Sequence, residues 1–457
     1  MSRNSRRTPL SYRDPHGHVQ ENGNIYYRVV DKSYEAQYAH LKGSGLYAAL
    51  LTEGLITAFE EIPSSGIGDE RTYKILLPEQ LEVVVYPYEW SFAQWKDCLL
   101  FFLRVNTICL QHGMILKDAS PFNFCLLSGK MVLFDILSFE FYKEGDPWIA
   151  YRQFCENFLA PLALMRYRHP IWSKLYRASP HGIDLGFASC SLPFSSYFSM
   201  ACLLHIHLHS SVAGGKRALG GSKRPFLKKE QLVQMMDAFK SVGRWKLSTG
   251  RTSFWDEYYG EEIQAAEYLA SKDLIVEGWL KELQPETVTD LGANTGRFSL
   301  LAAKHAKKVI AVESDPGSVE LLYQFTRGWK NIYPVCADIT DPSPGSGWEN
   351  AEKSPLLERI QSDTLMALAL IHHLRITYNV PLQLIASLFA KLSGKNLVLE
   401  FVPRSDEKVK AMLAHRQDIY DDYAKENIEE VFSEWFILKD RQPLGNSGRL
   451  IYLWEKK

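Results

Sequence analysis

The run Val288-Thr-Asp-Leu-Gly-Ala-Asn-Thr-Gly-Arg-Phe-Ser299 sets Gly292 and Gly296 between an apolar stretch and a helical one. Glycines in such a bend let the backbone approach a ligand where a side chain would intervene. The start of the following helix offers N–H groups and partial positive charge to an anionic group such as a carboxylate. Asn294 stands mid-bend, and asparagine tolerates left-handed backbone better than most residues. Glu313 closes the next apolar run, Val309-Ile-Ala-Val-Glu313, 21 positions after Gly292. A carboxylate there is placed to accept hydrogen bonds from both hydroxyls of a ribose. Asp338, in Cys336-Ala-Asp338, follows a third apolar run, and His372 and His373 follow a fourth.

A pyrophosphate turn calls for Gly-x-Gly-x-x-Gly. The spacing in Gly292-Ala-Asn-Thr-Gly296 differs and suits S-adenosylmethionine (SAM), a nucleoside without phosphate. The segment resembles motif I of the class I SAM-dependent methyltransferases, with Asn294 where their middle glycine usually stands. The resemblance implies that Asp290, Gly292, Asn294, Gly296, Glu313 and Asp338 line the cofactor site, with Asp338 meeting the adenine amino group. Phe254-Trp-Asp-Glu-Tyr-Tyr259, Lys272, Pro342-Ser-Pro-Gly-Ser-Gly-Trp348 with Arg359, Leu368-Ala-Leu-Ile-His-His-Leu374 and Ser447-Gly-Arg449 narrow it. They resemble a bacterial group, the nodulation-protein NoeA-like methyltransferases.

Methyl transfer from a sulfonium is an in-line displacement, so the protein chiefly positions the nucleophile. A base helps where the accepting atom must shed a proton. His372 and His373 follow a strand at the carboxyl edge of the sheet and titrate near neutrality, which suits that task. Trp255, Tyr258 and Tyr259 precede the first strand, where they would cover the cofactor and meet the acceptor. No Asn/Asp-Pro-Pro-Tyr/Phe tetrapeptide follows the fourth strand, and no Pro-Cys pair offers a cytosine nucleophile. A small-molecule or glycan acceptor is therefore expected in preference to nucleic acid.

The first half carries different chemistry. Asp118 and Asn123 stand five apart in Lys117-Asp-Ala-Ser-Pro-Phe-Asn123, and Asp135 ends the apolar run Met131-Val-Leu-Phe-Asp135. The pattern resembles a protein-kinase catalytic loop, in which an aspartate orients a hydroxyl while an asparagine and a second aspartate hold Mg²⁺. Leu116 replaces the loop histidine, and Ile136-Leu137 replaces Phe-Gly after the metal aspartate. His205-Ile-His-Leu-His209 would offer metal ligands only if extended. Its flanks read as helical, and no metal site is expected.

These residues need elements to hold them. After position 245, strands at 287–291, 308–313, 331–337, 364–370 and 396–402 alternate with helices, and two further extended runs, 432–438 and 449–454, end the chain. That order demands a Rossmann-like, mainly parallel seven-stranded sheet with an antiparallel excursion at one edge. Residues 1–240 read as an α+β domain, kinase-like in outline, with a hairpin over 16–30, helices over 34–55, a strand at 81–87 and an amphipathic helix at 92–111. The Gly/Lys/Arg-rich stretch 213–225 reads as a linker before the methyltransferase domain at 245–457.

At 457 residues, 46% hydrophobic and 23% charged, the chain suits two or three globular domains. A net charge of −1 disfavours a globally basic nucleic-acid binder. Seven scattered cysteines with no Cys-x-x-Cys spacing read as reduced thiols. No apolar stretch approaches the roughly 20 residues that span a bilayer. A cytoplasmic protein without a membrane partner is expected. Two alternatives stay open: a SAM-binding interaction protein without turnover, and a bifunctional kinase-like methyltransferase.

Overall fold

The computed structural model describes residues 6–8, 11, 13–23, 25–63, 66–214, 227–247, 263–414 and 417–457. Trp255, Tyr258 and Tyr259 lie outside them, as does most of the 213–225 stretch. The chain divides into two compact units. The first comprises residues 1–250 with 345–353, the second 251–344 with 354–457.

Unit 1 opens with a five-stranded antiparallel sheet of order β1-β2-β3-β5-β4: β1 (Arg6–Arg7), β2 (Gly17–Asn22), β3 (Ile25–Asp31), β4 (Phe59–Ile62) and β5 (Thr72–Pro78). β2 and β3 form a hairpin in which Gly17 pairs with Val30 and Asn22 with Ile25. Helices Glu35–Gly43 and Leu46–Thr52 are divided at Gly45, whose φ of 80° a side chain would strain. Residues 81–87, expected as a strand, form none. Pro87 opens a short 3₁₀ turn there, and the Tyr86 N–H donates to the Glu89 carboxylate at 3.0 Å, so those backbone groups are withdrawn from any ladder.

Helix Phe92–Gln111 starts where Ser91 and Gln94 cap each other reciprocally. It is amphipathic as expected: Trp95, Leu99, Phe102, Leu103, Asn106 and Leu110 are buried, while Lys96, Leu100, Arg104, Thr107 and Gln111 form a wetter stripe at helical spacing. Then come β6 (Met114–Leu116), β7 (Phe124–Leu127), β8 (Lys130–Leu133) and β9 (Phe139–Phe141), pairing as β6–β9 and β7–β8. Helical segments fill most of the stretch from Tyr151 to Gly214.

Unit 2 holds a seven-stranded sheet of order β12-β11-β10-β13-β14-β16-β15, made of β10 (Thr287–Leu291), β11 (Lys308–Glu313), β12 (Ile332–Cys336), β13 (Ser362–Ala367), β14 (Ser393–Phe401), β15 (Phe436–Pro443) and β16 (Leu450–Lys456). β10 pairs in parallel with β11 and β13, β11 with β12, and β13 with β14. β16 runs antiparallel to both β14 and β15. β15 begins later than its apolar residues suggest. Phe432 ends inside helix Lys425–Ser433, buried against Phe389 and Trp454, and extended backbone starts only at Phe436. The reversal of strand order falls between β10 and β13, so their carboxyl ends open a crevice, the usual ligand position in open α/β sheets.

Candidate functional site

The bend after β10 holds itself in shape. The Gly292 and Ala293 N–H groups both donate to the Val312 carbonyl, at 2.9 and 3.0 Å, and the Gly296 N–H donates to the Ala293 carbonyl at 2.9 Å. Gly292 (φ 74°), Asn294 (φ 49°) and Gly296 (φ 91°) all adopt left-handed backbone. A Cβ on Gly296 would fall 2.3 Å from Leu322 Cδ1, so glycine is required there on two counts. The following helix, Arg297–Ala302, has only six residues, and the bend's own N–H groups are largely committed. The expected anion cradle of free N–H groups is thus small, because the bend spends its donors on its own closure.

Glu313 is 8% exposed at the end of β11. Its Oε1 accepts from the Ser314 N–H (2.6 Å), the Asp315 N–H (2.8 Å) and the Ser314 hydroxyl (3.1 Å). Its Oε2 accepts from the Asn294 N–H (3.0 Å), tying the acid to the bend. Burial pushes its carboxyl up, and these four bonds oppose that shift. Oε2 keeps an acceptor direction for one ligand hydroxyl; a second requires release of the Ser314 hydroxyl. Asp338 accepts from the Thr340 N–H (2.9 Å) and hydroxyl (2.7 Å), both at Oδ1, and Oδ2 has no partner among the described residues. Asp290 is buried and accepts from the Ser299 hydroxyl at 2.7 Å. Burial raises its carboxyl to about 6, against the pull of Ser299 and Lys272.

One cavity joins these groups. Its lining includes Asp290, Gly292–Asn294, Glu313, Asp338, Leu370 and His373, together with Tyr268 and Lys272 from helix Ile263–Leu283. Lys272 makes a 2.5 Å ion pair with the fully buried Glu400 and lies 4.3 Å from the Phe298 ring centre. Arg449 lies 3.4 Å from Glu400 and 2.8 Å from Asp406, and donates to the Tyr268 hydroxyl at 3.0 Å. Buried charges need such mutual pairing, since an unpaired one is costly. The sequence signalled this cluster only through the quoted Lys272 and Arg449; nothing in composition foretold that Glu400 joins them.

The histidine pair divides. His373 lines the cavity, whereas His372 is absent from the lining and fully buried, with neither ring nitrogen hydrogen-bonded among the described residues. The rings lie 4.1 Å apart. Burial lowers His373 to about 4 and His372 well below its ordinary value, with neighbouring basic groups adding to the effect. Both imidazoles are neutral at neutral pH.

In unit 1, Asp118, Asn123 and Asp135 do converge. The Asn123 amide donates to Asp118 (2.9 Å) and to the Ser138 hydroxyl (3.1 Å), which donates to Asp135 (2.6 Å). Arg28 pairs with both Asp135 (2.9 Å) and Asp14 (2.8 Å). Among the described residues no group of three His, Cys, Asp or Glu side chains is arranged to hold a metal. His205 and His207 lie in a helical stretch, bonded to the Tyr151 hydroxyl and to Ser189 and Ser196.

Sheet order, glycine bend and strand-end acid together give the fold of the class I SAM-dependent methyltransferases. The chain belongs to the NoeA family: it is 30% identical over 456 residues to the nodulation protein NoeA of Rhizobium meliloti (strain 1021), covering 98% of this chain and 95% of that protein. A shorter match, 27% over 111 residues, reaches 22% of this chain and 25% of the 23S rRNA (uracil(1939)-C(5))-methyltransferase RlmD of Marinomonas sp. (strain MWYL1). Among solved structures, the N-methyltransferase NodS of Bradyrhizobium japonicum WM9 with S-adenosyl-L-homocysteine (SAH) is 13% identical, with a TM-score of 0.33 over 45% of this chain and 93% of that one. No family model matches the chain.

Proposed function

We propose that the cavity at the carboxyl ends of β10 and β11 binds SAM and delivers its methyl group to a small-molecule or glycan acceptor. The observation that carries the cofactor assignment is Glu313, buried, fixed by four hydrogen bonds and still able to accept at Oε2. In this reading Glu313 holds a ribose hydroxyl and Asp338 Oδ2 receives the adenine amino group. The backbone at Gly292–Asn294 lies along the cofactor, and Lys272, paired with Glu400, lines the cavity beside it. When bound, the cofactor supplies a methyl on a positively charged sulfur, so the chain's task is to orient the acceptor and exclude water.

His373, neutral in the cavity wall, serves as an uncharged hydrogen-bonding contact for the acceptor. A pKa of about 4 makes it a weak base at neutral pH. His372, packed behind it, acts through its contact with the His373 ring. The acceptor class is supported by the missing Asn/Asp-Pro-Pro-Tyr/Phe tetrapeptide and Pro-Cys pair. The RlmD match makes ribosomal RNA the natural control substrate. For unit 1, convergence of Asp118, Asn123 and Asp135 supports a kinase-like scaffold, while Arg28, shared by Asp135 and Asp14, competes with a metal ion for Asp135 and speaks against phosphoryl transfer.

The test is titration of SAH into wild type and Glu313→Ala, followed by a screen of small molecules, oligosaccharides and ribosomal RNA for methyl incorporation. Affinity unchanged in the variant would overturn the ribose assignment. Incorporation into RNA alone would overturn the acceptor class.

A further inference from the structure

Between Leu185 and Gly215 the sequence contains no Asp, Glu, Lys or Arg. Unit 1 displays this stretch openly. Phe194 is 75% exposed and Phe198 81%, on the 3₁₀ turn Phe194–Phe198, and the Phe194 ring lies 5.7 Å from those of both Phe198 and Tyr197. Met200, Leu204 and Leu208 follow at helical spacing and are also exposed, while Ile206 and His207 face inward. The result is an aromatic tip continued by an aliphatic stripe, a larger apolar surface than scattered exposed residues produce.

The sequence flanking this stripe is basic. From Asn157 to Lys229 the sequence carries ten Lys and Arg and a single acid, Asp184, hence +9 within a chain whose total is −1. Two of the cations are fixed beside the stripe's supporting elements. The Arg168 guanidinium donates to the Ser191 carbonyl, and Arg166 is close enough to lower the Cys202 thiol against its burial. A partner that suits both features is apolar where the rings project and carries negative charge.

We propose that this face docks unit 1 on the surface of an anionic phospholipid bilayer, with Phe194 and Phe198 inserted at the level of the headgroups. Aromatic and aliphatic side chains enter the interface, and basic residues add attraction to anionic lipid. Among the described residues no helix is long and apolar enough to cross a membrane, and docking needs none. The stripe's Met and Leu favour lipid over nucleic acid, since bases stack on aromatic rings but gain little from an aliphatic row.

The full chain is sedimented with vesicles of phosphatidylcholine alone and with one quarter phosphatidylglycerol. Binding is expected to the mixed vesicles, weakened by 0.5 M salt and reduced roughly ten-fold in Phe194→Ser/Phe198→Ser. Both side chains are exposed, so the variant should melt at the wild-type temperature. Methyl transfer to a water-soluble acceptor should be unchanged, which separates this inference from the cofactor assignment. Absence of binding to the mixed vesicles, or undiminished binding by the variant, would overturn it. So would a wild-type dimer in sedimentation velocity that the variant abolishes without any vesicle binding, or single-stranded RNA binding lost in place of lipid binding.

Discussion

At the scale of single residues, the site is a set of carboxylates held in different states by their neighbours. Glu313 is anchored by N–H donors, and its loss removes a charged acceptor. Glu313→Ala should weaken SAH about 10- to 100-fold, the range for one or two hydrogen bonds to a charged group, read by calorimetric titration. Asp290 is raised from 3.8 to about 6 by burial, so the folded state binds its proton more tightly than the unfolded chain. Stability conferred by that proton is present at low pH and lost as pH rises from about 4 through 6. Asp290→Asn should therefore stabilise the cofactor-free protein by about 1–3 kcal/mol at pH 7.5, with the two melting temperatures converging toward pH 4. His373, lowered to about 4, titrates below the ordinary imidazole range. The pH profile of kcat is expected to show no limb near 6.5 that His373→Asn removes.

At the scale of elements, the bend between β10 and its helix is the part most narrowly constrained by geometry. Gly296→Ala places a methyl against Leu322 on helix Pro316–Phe325 in left-handed backbone. A loss of about 1–3 kcal/mol follows, measurable by denaturant unfolding. Gly292→Ala meets only ordinary contact with Leu370 at 3.5 Å, so it should cost about 1 kcal/mol, mostly backbone strain. In unit 1, β6, the loop bearing Asp118 and Asn123, and the β7–β8 hairpin bring Asp135 back to that loop. Because Arg28 from β3 sits against Asp135, shared with Asp14, where a metal ion would have to enter, ATP with Mg²⁺ should not raise the melting temperature. A rise abolished by Asp135→Ala would restore the bifunctional reading.

At the scale of the whole molecule, two units with separate cores imply two unfolding transitions. SAH at about 100 times its Kd should stabilise one of them by about 2.7 kcal/mol and leave the other in place. Scanning calorimetry of the full chain with and without SAH reads this directly, and equal movement of both transitions would argue against separate units. Residues 345–353 cluster with unit 1 although they follow the third strand of unit 2. A linear boundary near 245 could not express that excursion, because contact with distant chain leaves no local periodicity.

Sequence alone determined the sheet's strands with little error: Val309–Val312 and Leu397–Leu399 are short apolar runs, the pattern of strands buried on both faces, and Thr287–Leu291 is rich in β-branched residues and ends at a glycine. It also determined the left-handed bend, because the backbone requirement falls on its own residues. It misplaced the strand at 81–87 and the start of β15, where a proline and a packed phenylalanine overruled local preference. Only the tertiary structure decided that Glu400 joins Lys272 and Arg449, that His373 faces the cavity while His372 does not, and that Arg28 occupies Asp135. Each of these depends on which distant groups meet in the dark of the core, and burial sets both the charge and the reach of every side chain there.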